Sequence, residues 1–268
     1  MIGRAWELVR IPLRGARRAS LVWGLSLAVL VALTIAFYPS FRDEPALNDL
    51  IASMPQPLIQ AFGLADFGTP AGFLRGNLYA VLVPLLLAVA GVLLMNGQTA
   101  SEEDSGRMEA YLAQPVTRGG VFLGRAAAAV VWVIGIGLLM LIAQLVADAV
   151  VGLQIGLDRI LATMALCVLL GLLHAGVAAL IAGWTGRPGL VLAVGMALAV
   201  AGYVAIALFP ISDVLAPWRH ASPWDWALGG DPLTTATEAW RYLALGVPAA
   251  VLIGVGTWAF GRRDVQAG

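Results

Sequence analysis

Six stretches of the chain contain no charged residue: 19–41, 76–101, 126–147, 160–186, 188–212 and 242–261. Apolar residues run continuously through each of them. A membrane barrel would alternate apolar and polar positions with period two, so the pattern predicts helices. Each stretch supplies the ~20 apolar residues that carry a helix across a bilayer. A helix also pairs its own backbone groups where lipid offers no partner. The spans fall at about 20–38, 78–96, 126–147, 160–184, 189–209 and 242–260. The expectation is an all-α integral membrane protein with six transmembrane helices. It forms one transmembrane domain over residues 1–268, with no internal repeat and no linker between globular parts.

The polar positions orient these spans. With the amino terminus in the cytoplasm, Arg4, Arg10, Arg14, Arg17, Arg18, Arg107, Arg118, Arg125, Arg187, Arg262 and Arg263 lie inside. Only Arg42, Arg75, Arg159, Arg219 and Arg241 lie outside, and the acidic residues divide the other way. Positive charge concentrates on the cytoplasmic side of membrane proteins, so both termini are expected there. The first apolar run ends Phe37-Tyr38-Pro39-Ser40 without a small-x-small cleavage site, so it reads as a retained span and not as a secretory signal. The largest inner connection covers 97–125, and the long outer loops cover 39–76 and 210–241.

Composition narrows the chemistry. The chain is 60% hydrophobic and 12% charged, against about 25% charge in soluble domains. All 16 basic residues are arginine. Without lysine there is neither a standard phosphate-binding loop nor a Schiff-base site. Cys167 stands alone, which excludes a multi-cysteine site, and the two histidines, His174 and His220, lie too far apart for a helical two-histidine zinc site. The net charge of zero supplies no basic field for nucleic acid. No catalytic residue, metal site or resident cofactor is expected, and the chain reads as a non-enzyme.

Two segments carry candidate function. In the inner loop, Ser101 is a fit N-cap, and Glu102, Glu103 and Asp104 suit the first turn of a helix. Met108, Tyr111 and Leu112 share a face at i, i+3 and i+4, and Pro115 ends the helix. Such a short helix is not stable alone. It docks on a soluble partner or rests as a connector on the membrane surface. At the amino end Arg10, Arg14, Arg17 and Arg18 share one face beside an apolar stripe that includes Trp6. This fits either an interfacial helix over 1–19, bent or restarted at Pro12, or plain topological signalling by positive charge.

The stretch from Pro57 to Arg125 resembles the type-2 family of ABC transporter permeases, the membrane subunits of bacterial ATP-driven exporters. Phe67-Gly68-Thr69-Pro70-Ala71-Gly72-Phe73-Leu74 leads into the second span. The inner pattern Glu102-Glu103-x-x-Gly106-x-Met108-Glu109-x-x-Leu112-x-x-Pro115-Val116-x-Arg118 follows, and Phe260-Gly261-Arg262-Arg263-Asp264-Val265 comes at the end of the last span. The inner pattern is the most specific of the three. The resemblance implies that the inner loop is a coupling helix seated in a groove of a separate ATPase. Met108, Tyr111 and Leu112 would be its apolar contacts, and Glu102, Glu103 and Glu109 would face basic residues. It also implies an interfacial elbow helix at the amino end, a second permease chain, identical or related, and two ATPase copies carrying ATP and magnesium. The location would be the bacterial cytoplasmic membrane, and the cargo an antibiotic, drug or lipid.

The remaining polar residues are less specific. Asn77, Asn96 and Tyr203 are candidates for a substrate path, and His174 reads more simply as a packed hydrogen bond. Trp218, Trp224 and Trp226 near the sixth span fit an aromatic belt at the membrane interface. Residues 46–62 read as short helices on the outer leaflet. No carboxylate lies deep in a span, which disfavours an ion-coupled secondary transporter. A non-transporting scaffold that recruits an ATPase is the other alternative.

Overall fold

The structure, a computed structural model, describes residues 2–42, 50, 53–55, 58–59, 66, 68–112 and 116–263; of 2–5, 109, 110 and 112 it describes the backbone alone. Every regular element among these residues is helical. Six helical runs are long and apolar enough to cross a membrane: Trp6–Arg42, Pro70–Asp104, Arg118–Val151, Leu157–Thr185, Pro188–Ile211 and Ala239–Arg262. All six expected spans are present as helices, and all but the fifth extend past their apolar stretch at one end or both. Polar residues at the ends continue the helical hydrogen bonding where water or caps can finish it.

In chain order the helices are α1 (Ile2–Ala36), α2 (Tyr38–Arg42) and α3 (Pro70–Leu74). A π-turn over Arg75–Tyr79 leads into α4 (Leu82–Gln98), and α5 (Ala100–Asp104) and α6 (Arg107–Leu112) follow. Next come α7 (Arg118–Val151), α8 (Leu157–Thr185), α9 (Pro188–Leu208), α10 (Pro223–Leu228) and α11 (Ala239–Arg262). The 34 residues of α7 span about 51 Å at the helical rise, so α7 projects well beyond a ~30 Å hydrocarbon layer.

The amino-terminal segment expected as a separate interfacial helix is the first part of one continuous α1, which runs through Pro12 unbroken. Packing on α7 holds it. A Cβ at Gly124 would lie 2.7 Å from the Leu8 carbonyl oxygen, and the Trp132 indole donates to the Leu13 carbonyl at 3.2 Å. Gln98 Nε2 reaches the Pro12 carbonyl itself at 3.4 Å.

The bundle is organised around α8, which packs on α4, α7, α9, α10 and α11. Lipid offers no hydrophobic drive for helix association, so close fit between small residues matters most. At Gly183 a Cβ would overlap the Gly256 carbonyl oxygen, and at Gly91 it would overlap that of Gly171. These contacts bring α8 against α11 and α4 backbone to backbone. In contrast, α1 packs extensively on α7 and scarcely meets α4.

Tryptophan placement differs from the expected belt. Trp218 is 66% exposed, but Trp224 is wholly buried. Its ring packs beside Tyr203, with centroids 5.5 Å apart. Helix α10 folds back under the loop and seats Trp224 among Leu166, Leu170 and Leu245. The segment over 46–62 falls mostly outside the described residues.

Candidate functional site

The loop between the second and third spans, expected on the inner side, begins as two short helices and not one. The chain leaves α4 at Gln98, turns at Thr99 and forms α5; Gly106 then adopts φ +72° before α6 begins. Left-handed backbone of this kind favours glycine, so Gly106 is the hinge between the pieces. Ser101 therefore does not cap a long helix. It lies inside α5, and its hydroxyl accepts from Asn96 Nδ2 at 3.2 Å.

The acids at this hinge are tied to the bundle. Glu103, 5% exposed, meets Arg263 in a bidentate pair, Oε1 to Nη1 at 2.7 Å and Oε2 to Nη2 at 2.6 Å. Arg263 Nε also donates to the Gly183 carbonyl at 3.2 Å. One fork thus joins α5 to the ends of α8 and α11. Gly186, at φ +62°, makes room for it: a Cβ there would stand 2.8 Å from Arg263 Nη1 and from both Glu103 oxygens. Paired, planar hydrogen bonds of this type are among the strongest between side chains.

Glu102 is held by two cations. Arg107 reaches its Oε1 through Nε at 2.9 Å and Nη2 at 2.7 Å, and Arg125 Nη1 reaches its Oε2 at 3.0 Å. Arg125, 3% exposed, also donates to the Gln98 carbonyl at 3.1 Å. Its guanidinium carbon lies 4.6 Å from the Tyr111 ring centroid. A buried guanidinium needs such compensation to stay charged. The network links α4, α5, α6 and α7, and through Gln98 it reaches α1.

Met108 is fully buried in this chain, clustered with Phe122 and Phe260, whose rings stand 5.1 Å apart. Three of the residues expected to face a partner groove thus have other duties: Met108 anchors the loop to the bundle, and Glu102 and Glu103 pair with arginines of the same chain. Outward exposure belongs to Asp104, Ser105, Gly106 and Arg107. Arg118 opens α7 and donates to the Arg263 carbonyl at 2.8 Å. The side chains of Glu109 and Leu112, and all of Pro115, lie outside the described residues.

Sequence reasoning missed Arg125 and the pairing of Arg263. The one available signal was position: Arg125 opens one apolar run, the Arg262-Arg263 pair closes another, and Glu102 and Glu103 close a third.

The other candidate residues do not converge. Trp6 is 58% exposed, Arg14, Arg17 and Arg18 are exposed, and Arg10 pairs with Glu7 at 2.9 Å. Asn77 donates to the Phe73 carbonyl at 3.0 Å near the far end of the bundle, where Tyr203 also sits. Asn96 belongs to the hinge end, 19 residues along from Asn77, or about 28 Å of helix. His174 engages the Leu170 carbonyl at 2.9 Å, one turn back.

A family model described as "Multidrug efflux system permease Rv1217c, C-terminal domain" matches residues 9–261. No curated protein matches the chain by sequence search. The match takes in all six candidate spans almost entirely, together with the hinged loop, and ends two residues before Arg263. The chain therefore belongs to this family of multidrug efflux permeases, and is a multi-pass membrane permease of an ABC-type efflux system.

Proposed function

We propose that this permease exports an amphipathic or hydrophobic molecule with energy from ATP hydrolysed on a separate ATPase subunit. The α5–α6 hinge is the surface on which that ATPase docks. The supporting observation is the two-sided construction of the hinge. Its inward side is fastened by Met108 and the Glu103–Arg263 fork, while Asp104, Ser105 and Arg107 are presented outward. A push on the exposed side therefore reaches α8, α11, α7 and α1 through specific contacts. ATP and magnesium would be held by the ATPase, since the chain has no lysine for a phosphate loop.

In this reading two permease chains pair, two ATPase copies sit beneath them, and both termini face the cytoplasm of a bacterium. The arginine distribution supports that orientation. ATP-driven closure of the ATPase pair would move the two hinges and switch the path between the permeases from inward to outward access.

The test is Asp104→Arg with Ser105→Arg, both at exposed positions. The doubly substituted permease should insert normally, yet lose the ATPase on affinity purification from its native host. Unchanged ATPase recovery and unchanged export would refute the docking assignment.

A further inference from the structure

Between α1 and α4, which scarcely touch, lies a cavity of about 560 Å³. Its volume is within the range that encloses a small organic ligand. The walls are mainly apolar and include Ile11, Ala16, Trp23, Leu93 and Leu94. Gly15 on α1 and Gly97 on α4 also line it, and a Cβ added at either would meet nothing within 4 Å. The two glycines thus face open space and are not sites of helix contact.

One end of this cavity is polar and positive. Glu102 is the only acid among its lining residues, and it is shared by Arg107 and Arg125. Two guanidiniums on one carboxylate leave one positive charge in excess. Its hydrogen bonds to Glu102, and that group's charge, raise the Arg107 pKa further above the ordinary value.

From this arrangement we infer that the cavity is a binding site for an anionic amphiphile with a single hydrocarbon chain. The anionic head lies against Arg107, and the chain runs between α1 and α4 past Trp23. This goes beyond the export reading, because binding is measured without ATP or ATPase.

The experiment uses the purified full chain in nanodiscs of zwitterionic lipid, titrated with brominated stearate. Bromine quenches tryptophan only at contact range, and Trp23 lines the site. A saturable quenching component is expected that Trp23→Phe removes. Gly97→Leu and, from the opposite wall, Gly15→Leu should abolish it by filling the space. Leucine is also the better helix former, so unchanged melting temperatures will show that both variants fold. Arg107→Gln should weaken stearate binding about tenfold and leave binding of brominated stearyl alcohol unchanged. Quenching that never saturates, or that survives Trp23→Phe or both glycine substitutions, overturns the proposal. So does equal binding of stearate and the alcohol.

A last arm distinguishes the two sources of such a ligand. Inverted vesicles containing the whole efflux system are loaded with the probe and given ATP. Release of the probe on turnover marks it as cargo, and retention marks a resident lipid; both keep the site.

Discussion

At the scale of single residues, the buried Glu103–Arg263 pair is one fastening of the hinge that can be tested by itself. Breaking a buried pair by removing one partner costs about 3 kcal/mol or more, because the survivor is left charged without compensation. Glu103→Gln and Arg263→Gln should each lower the melting temperature of the purified permease. The double variant should cost clearly less than the two single losses added together. Simple additivity in that double-mutant cycle would show that the 2.6–2.7 Å contacts carry little. Coupling has a separate readout. In the assembled system the single variants should hydrolyse more ATP per molecule exported, since α5 no longer pulls on α8 and α11 through Arg263.

Helices are held together here by the absence of side chains as much as by their presence. Gly183 and Gly246 both lie between α8 and α11. A Cβ at Gly183 would overlap the Gly256 carbonyl, whereas at Gly246 the nearest atom is Leu169 Cδ2 at 3.6 Å. Gly183→Ala must push two backbones apart, and overpacking of this kind costs about 1–3 kcal/mol. Gly246→Ala meets ordinary contact and gains about 1 kcal/mol of helix propensity. Thermal unfolding in detergent should therefore move in opposite directions for the two variants. A shared direction would mean that the α8–α11 contact is looser than described.

For the whole molecule, the permease family fixes what the chain does, and the proposed mechanism states where its energy comes from. The purified chain alone should hydrolyse no ATP. Membrane vesicles carrying permease and ATPase should export with ion gradients collapsed, and vanadate should stop them. Export that persists under vanadate and fails when the gradients collapse would assign the drive to ions instead.

Six helical spans, their order and the position of the loop between the second and third were legible in the sequence. Apolar continuity over a bilayer's width leaves only helices as a solution, and that rule needs no tertiary information. The hinge was half legible. Its acids, its glycine and its place between the second and third spans stood out, but the partners of the acids did not. Glu103 and Arg263 are 160 positions apart, and no local spacing relates them. They meet because α8 and α11 close on each other through Gly183 and Gly256. The same holds for Trp224, whose burial depends on α10 folding under its loop, and for the cavity beside Trp23, which exists because α1 chose α7 over α4. Hydrophobic patterning dictates which segments enter the membrane; only their packing decides which polar groups are left to find one another, and where space remains.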